Sequence, residues 1–388
     1  MTRTSILHIH ADYPDNSGYN STPAVKNLIK LASEYKHYVF AIHRTNIPNR
    51  IKIIKKDENL FSLFYFGFPL GSFLKYSAYY LAKKIACEVR SNNIEISLIH
   101  SHKITCEGSV GFYLSKMLNK PLICTVQGGT DSRFLKYGVG NGSLYEEVVY
   151  HSKKILFMSV WAKKNFEKLP TYDENKTFDF PIPCVNKVLQ VAKPKKQKEG
   201  DHLKLVCVAL NQYKLKGIIP LIYALTTKEL RLKMTLDIIG MSDPVEINAI
   251  NKAITKCNLM KRVKLLGRVK HDKLLEMYTN YDAFVLPSAP ESFGMVYVEA
   301  LFAGLPILFH KNTGIDGYLD GLEVGIGIEN KSATEISNAL NHMGDNINNF
   351  KNNVFKAIKN GKLAHLTNDH IIETYRNVVE ETIGLNHE

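Results

Sequence analysis

Two stretches of strand–loop–helix alternation, separated by a single break, constrain this chain more than any other feature. In the first stretch, residues 4–10, Val39 to Ile42, Ile96 to His100, Leu122 to Val126 and Ile155 to Val160 are continuous apolar runs rather than alternating ones. A strand needs that pattern when helices cover both faces of its sheet. Helical spacing lies between the runs: Val25, Leu28, Ile29 and Ala32 share one face after a Thr22 cap and Pro23, and another helix is expected near 107–118. Such alternation specifies a parallel, doubly wound α/β sheet. The rhythm fails at 181–202, where Pro181-Ile182-Pro183 leads into the lysine-rich segment Lys193 to Gly200. It then restarts, with strands at Leu203 to Leu210, Leu236 to Gly240, Val263 to Leu266, Ala283 to Leu286 and Pro306 to Phe309. Helices are expected near 217–228, 245–256, 272–280 and 292–303.

A length of 388 residues suits two such domains. We read 1–185 and 186–360 as two Rossmann-like halves, with 351–383 helical and the end, 361–388, packing back on the first half. The net charge is +13, and residues 1–200 carry all of it while 201–388 sum to zero. A basic partner surface therefore belongs to the first half, facing nucleic acid, an anionic membrane or a phosphorylated acceptor. The six cysteines form no C-x-x-C pair, which excludes a zinc ribbon or dithiol redox site and suggests buried free thiols in a reducing, cytoplasmic compartment. Ser5 to His10 is too short for a signal segment, and the longest apolar run, 60–74, is broken by Gly and Pro and falls short of the roughly 20 residues a bilayer requires.

In open α/β sheets, ligands sit beyond the carboxyl ends of the strands. In the second half those ends carry Asn211 to Gly217, Gly240-Met241, Gly267-Arg268-Val269 and Pro287 to Gly294. The informative segment is Glu291-Ser292-Phe293-Gly294-Met295-Val296-Tyr297-Val298-Glu299. With Glu299 two turns into a helix, the carboxylates stand roughly 12 Å apart at about 1.5 Å per residue. That exceeds the roughly 5–9.5 Å of a glycosidase acid/base pair. It suits the two ends of a nucleotide-sugar, with the amides of Phe293, Gly294 and Met295 at a helix start between them. The plainer alternative is one Glu favouring the helix dipole and another on the surface.

This segment resembles the E-x7-E motif of the retaining glycosyltransferase family 4, of GT-B fold, from Glu291 to Glu299 and on to Gly304-Leu305-Pro306. The resemblance extends over 203–310 to Lys216-Gly217, similar to the family's diphosphate-binding lysine, and to Leu266-Gly267-Arg268-Val269, similar to its base-contacting segment. It implies two Rossmann-like domains facing a cleft, the first for the acceptor and the second for the donor. Implied donor contacts are Asn211, Lys214, Lys216, Gly240, Arg268, Val269, Glu291, Phe293, Gly294, Met295 and Glu299, and the acceptor side is Gly18, His102, Gln127 and Asp131. Glu291, Lys216 and His102 are the implied catalytic residues.

Departures from the family pattern fall on specific contacts. Asn211 stands where the family has a phosphate-binding Arg, with Lys214 nearby to supply charge, although an ammonium does not replace a guanidinium fork. Thr125-Val126-Gln127-Gly128 places Gln where an active-site His is common, and Gln cannot shuttle a proton. The first loop retains only Ser17-Gly18 of its glycines, and the junction reads Pro183-Cys184-Val185-Asn186. His100 and His102 share one strand face, but with no third ligand at useful spacing we expect no metal. The absence of D-x-D agrees, leaving leaving-group charge to Lys216, Lys214 and helix amides.

The expectation is a retaining hexosyltransferase-like enzyme without cofactor. It would move sugar from a nucleotide-diphospho-sugar to a glycan or lipid-linked glycan of cell-surface polysaccharide synthesis. An epimerase on the same fold is the first rival. A nucleic-acid-binding protein is the second, motivated by the charge alone, and no nucleic-acid partner is expected because no reading motif accompanies it. A peripheral position on the inner membrane face is expected from Lys52, Lys55, Lys56, the run 60–74, Lys75, Tyr76, Tyr79, Tyr80, Lys83 and Lys84, with Leu74, Ser77, Ala78 and Leu81 forming an interfacial helix face.

Overall fold

A computed structural model of the chain describes residues 3–19, 21–46, 48, 51–68, 71–129, 131, 141–184, 194 and 202–384. The chain divides into two compact units: Met1–Pro183 with Asn368–Glu388, and Cys184–Thr367. The return to the first unit thus begins at Asn368 rather than at 361. Val185, Asn186 and most of the lysine-rich junction lie outside the described residues.

The first unit is built on β1 (Ser5–His10), α1 (Ala24–Leu31), β2 (Lys36–Thr45), β3 (Lys52–Lys55), β4 (Leu60–Phe66), α2 (Leu74–Ser91), β5 (Leu98–Ser101), α3 (Cys106–Leu118), β6 (Leu122–Val126), α4 (Gly142–His151), β7 (Lys154–Phe157), α5 (Val160–Phe166) and β8 (Thr177–Asp179). Its eight strands lie in the order β3-β4-β2-β1-β5-β6-β7-β8, all parallel except the edge strand β3, which runs against β4. Every residue of β1 is buried, which is why it reads as a continuous apolar run. Leu7 and Ile9 face a core filled by α2, α3 and α4. Ile6 faces a second core that holds Leu28 of α1 and Tyr375 and Val379 of the C-terminal helix.

Residues 60–66, expected as part of a membrane-facing stretch, are an inner strand with Phe61, Ser62 and Leu63 fully buried, and Phe61 stacks on Phe40 with ring centroids 4.6 Å apart. The apolar face of α2 is also spent inside the protein: Leu74, Ala78, Leu81, Ala82 and Ile85 are buried. Pro23, not Thr22, occupies the cap of α1. Of the cysteines, Cys124, Cys184 and Cys207 are buried, whereas Cys87 is exposed.

The second unit contains β9 (Leu203–Val208), α6 (Ile218–Ala224), β10 (Met234–Ile239), α7 (Pro244–Lys256), β11 (Val263–Gly267), α8 (His271–Tyr278), β12 (Ala283–Val285), α9 (Met295–Phe302), β13 (Ile307–His310), β14 (Gly325–Ile328), α10 (Ala333–Asp345) and α11 (Ile347–Lys359). The returning helix α12 spans Asn368–Ile383. The sheet order is β11-β10-β9-β12-β13-β14, parallel throughout. Numbered within the unit this is the 3-2-1-4-5-6 doubly wound order, whose switch point lies between β9 and β12. In the first sheet the equivalent point lies between β1 and β5, where the chain reverses its direction of travel across the sheet.

Candidate functional site

In the second unit, the loops after β9 and β12 lie side by side beyond the strand ends at the switch point, where doubly wound sheets bind ligands. They are locked to one another. Gly217 caps α6 at φ +68°, and a Cβ there would stand 2.7 Å from the Pro287 carbonyl oxygen, so only glycine permits the approach. Ala289 N–H donates to Leu215 O (3.1 Å), and Lys331 Nζ donates to Ala289 O (2.8 Å). Between these clamps the Lys216 ammonium meets the Glu291 carboxylate, Nζ to Oε2, at 2.6 Å. Glu291 is fixed in turn: its N–H donates to Thr313 Oγ1 (2.6 Å), its carbonyl accepts from Gly314 N–H (2.9 Å), and its own carboxylate accepts from Ser292 N–H (3.1 Å).

Helix α9 starts later than the sequence suggests. Gly294 is its cap at φ +80°, so of the three expected amides only that of Met295 lies within the helix. Phe293 turns inward, 1% exposed, with its ring perpendicular to Tyr318. Its side chain belongs to the core, whereas the expected contact is through its amide. Glu299 is one turn into α9, buried, with Oε1 accepting from His271 Nε2 at 2.9 Å. Burial raises its pKa above the ordinary carboxyl value, and the His271 hydrogen bond partly offsets this.

Asn211 fastens its loop through its side-chain oxygen. Its Oδ1 accepts the N–H groups of Ser242 (3.0 Å) and Asp243 (3.1 Å), while Glu246 accepts those of Gln212 and Tyr213, so the loop is strapped to the start of α7. Gly240 permits this packing, since a Cβ at φ +103° would fall 2.6 Å from Ala209 O. Lys214 and Arg268 are exposed, and Val269 is half-buried. The structure therefore brings Lys216, Glu291 and Gly294 together. Structural contacts take up the Asn211 side-chain oxygen and the Phe293 ring, and His271, Lys331 and Thr313 join the site, which sequence reasoning missed because each belongs to a distant segment.

In the first unit, the loops after β1 and β5 meet around Lys103, whose Nζ lies 2.5 Å from Asp12 Oδ2 and 3.4 Å from Glu107 Oε1. Asp131 is fully buried and staples two loops, accepting from Ile104 N–H (3.1 Å) and Gln127 N–H (2.8 Å). Burial pushes its pKa up to about 7. It positions its neighbours rather than facing a ligand. The Gln127 side-chain nitrogen lies 3.3 Å from His10 Nε2, and burial holds His10 neutral, its pKa pushed down to about 3. Gly18, at φ +78°, belongs to a loop gathered on Asp15, which accepts from Ser17 N–H, His43 Nε2 and Ser62.

His102 and His100 are both buried. His100 is occupied on both nitrogens, by Tyr375 OH (3.0 Å) and Thr125 Oγ1 (2.7 Å), so it does not line a cleft. The third imidazole, which no local spacing marks, comes from the adjacent strand: ring nitrogens of His8, His100 and His102 lie within 4.8 Å of one another. His8-Ile9-His10 repeats the His100-Ser101-His102 pattern on that strand, and this was the available signal.

Residues 190–360 match the family described as glycosyl transferases group 1. An uncharacterised glycosyltransferase of Methanocaldococcus jannaschii is 29% identical over 241 residues, 60% of this chain and 63% of that protein. The GtfA subunit of a UDP-N-acetylglucosamine–peptide N-acetylglucosaminyltransferase from Streptococcus parasanguinis is 26% identical over 39% of this chain. The chain spans 63% and 30% of the lengths of these two curated relatives. Among solved structures, a sucrose-phosphate synthase from Thermosynechococcus elongatus superposes with TM-score 0.73 at 17% identity, over 99% of this chain and 100% of that one. HepE of Anabaena, solved with UDP, gives 0.64 at 16%, over 99% and 100%. The fold is GT-B, and the match to the group 1 glycosyltransferases falls on the second unit.

The buried Glu299 yields a pH test. A carboxyl whose folded pKa is raised binds its proton more tightly in the folded state. Its contribution to stability is present below the unfolded pKa of about 4.3 and is lost as pH rises through the folded value. Glu299→Gln keeps an oxygen for His271 but cannot ionise. Urea unfolding should therefore show the variant gaining stability relative to the parent as pH rises above about 4. Parallel stability curves would mean that the carboxylate is fully compensated where it sits.

Proposed function

Taking residues 190–360 as a group 1 glycosyltransferase domain, we propose that this chain is a retaining glycosyltransferase that uses a nucleotide-diphospho-sugar. The observation that carries the reading is the Lys216–Glu291 pair at the switch point of the second sheet. In the free protein each charge compensates the other. A bound diphosphate offers Lys216 a denser anion and frees Glu291 to accept hydrogen bonds from sugar hydroxyls. The Met295 amide, at the positive end of α9, adds to the field on the phosphate. Glu299 with His271 takes the ribose end. HepE, whose solved complexes contain UDP and UDP-glucose, supports uridine as the first nucleotide to try.

The chemistry follows from charge placement. The bond between the anomeric carbon and the diphosphate oxygen breaks, and the acceptor hydroxyl oxygen bonds to that carbon on the same face. The hydroxyl proton passes to the departing phosphate oxygen. Lys216 stabilises the charge as it grows on the diphosphate, so its effect is largest in the transition state. No metal is invoked in this scheme. The first unit takes the acceptor, a glycan or lipid-linked glycan of cell-surface polysaccharide synthesis, with His102 and Gln127 nearest the strand ends.

Two tests follow from this reading. Nucleotide-sugars that bind should raise the melting temperature by mass action, and the product made from the best of them should keep the donor's anomeric configuration by NMR. Lys216→Ala should lower turnover at saturating donor about a hundredfold while changing affinity for the free nucleoside little. Normal turnover in that variant would move the role to Lys214 or to backbone amides.

The membrane reading narrows to what remains exposed. Phe73 (62%), Tyr76 (66%) and Tyr80 (57%) project from the start of α2 beside exposed Lys75, Lys83 and Lys84, around a shallow groove of about 640 Å³. No helix among the described residues is long and apolar enough to cross a membrane. Each lysine at an anionic surface contributes about 1 kcal/mol, and the aromatic rings suit the interface. Co-sedimentation with vesicles should rise with anionic lipid, fall with salt, and weaken on Lys83→Glu combined with Lys84→Glu. Equal binding to neutral and anionic vesicles, or none, would leave the acceptor without a membrane.

A further inference from the structure

One feature of the first unit is used only at its end by the transfer reading: a column of imidazoles on the sheet face covered by α1 and α12. The registers place it. His8 pairs with His100 across β1 and β5, and Ile6 pairs with His37 across β1 and β2, so His37, His8, His10, His100 and His102 share that face. His8, His10, His100 and His102 are at most 1% exposed, while His37 is half-buried at the start of β2.

The protons in this column can be assigned by elimination. His37 Nε2 lies 2.7 Å from the Ala32 carbonyl oxygen, which can only accept, so Nε2 carries the hydrogen. Burial lowers the His37 pKa, so the ring is neutral and its Nδ1 is a bare lone pair. His8 Nε2, 2.9 Å away, must donate to it, which leaves His8 Nδ1 bare. His102 Nε2, 2.9 Å from His8 Nδ1, must then donate in turn. The remaining nitrogen, His102 Nδ1, carries a lone pair and has no hydrogen-bond partner among the described residues. Burial and the neighbouring rings and Lys103 hold His8 and His102 neutral, so the order does not reverse at ordinary pH.

We propose that His8 and His37 are positioning residues which, anchored on the Ala32 carbonyl, lock His102 in its Nε2–H tautomer and present Nδ1 as a hydrogen-bond acceptor for a hydroxyl of the sugar acceptor. The hydroxyl rests on the reading in which the first unit takes the acceptor, whereas the tautomer does not. A neutral imidazole has one donor and one acceptor, and the group bonded to one nitrogen decides which role the other can play. Here that choice is made three hydrogen bonds away from the working ring, at a backbone oxygen that cannot change its role.

The test is a long-range proton–nitrogen NMR correlation on the full chain labelled with ¹⁵N-histidine, with His102 identified by the signal lost in His102→Gln. His37, His8 and His102 should each show a single Nε2–H form. His37→Leu removes the anchor, and a second, Nδ1–H form of His102 should appear. His37→Gln should restore the single form, since its amide oxygen can accept from His8 and its NH₂ can donate to Ala32. With a working donor and acceptor, His37→Leu should lower kcat about tenfold, the worth of one ordinary hydrogen bond, at unchanged donor KM, and His37→Gln should recover it. An Nδ1–H signal at any of the three rings in the parent protein overturns the proposal, and this holds even if the leucine variant fails to fold. A His102 tautomer indifferent to His37→Leu also overturns it. So does stoichiometric zinc binding that removes the ring protons, which would make His8, His100 and His102 a metal site. Locked tautomers without any transfer activity would retain the relay and defeat the acceptor reading instead.

Discussion

All six strands of one sheet and seven of the eight in the other run in the same direction, and the rest of the structure depends on that constraint. Parallel strands cannot be joined by tight turns, so each must return over a face of its sheet, and each delivers its following loop to the same edge. Both faces are therefore covered, the strands are apolar on both sides, and the polar chemistry collects at one edge. At the switch point of the second sheet the loops from β9 and β12 stand side by side, which is why residues 75 positions apart form the Lys216–Glu291 pair.

A pair of opposite charges, each partly buried, gains little by itself, because desolvation offsets much of the attraction. Its arrangement matters more than its stability. Gly217 against Pro287, Ala289 on Leu215 and Lys331 on Ala289 fix the two loops independently of the charges. A ligand can then separate Lys216 from Glu291 without dismantling the site. Preorganisation of this kind places charge where a leaving group needs it.

What the sequence disclosed follows from how local each feature is. Glu291 to Glu299 is one continuous segment at a strand end, so its spacing and chemistry could be read directly. The alternation of apolar runs and helical spacing likewise exposed the two-unit α/β architecture. Thr313 and His271 act on that segment, and Lys331 on Ala289 just before it, through contacts 22, 28 and 42 positions away, and no local pattern marks them. Residues 60–66 misled for the opposite reason. Leu60-Phe61-Ser62-Leu63-Phe64-Tyr65-Phe66 is apolar without period, so nothing local separates a buried strand from a surface patch, and only the pairing with β2 settles it. Asn211 was read against a family pattern. Its backbone at φ +55° and the bonds of its side-chain oxygen to Ser242 and Asp243 add a loop-fastening role which that pattern does not mark.

The central claim is that the Lys216–Glu291 pair is the resting state of a diphosphate site. A crystal structure of the chain with a nucleoside diphosphate bound tests this most directly. The account predicts Lys216 Nζ on a phosphate oxygen, the bond to Glu291 broken, and the ribose beside Glu299. A diphosphate bound elsewhere while Lys216 and Glu291 remain paired would contradict it.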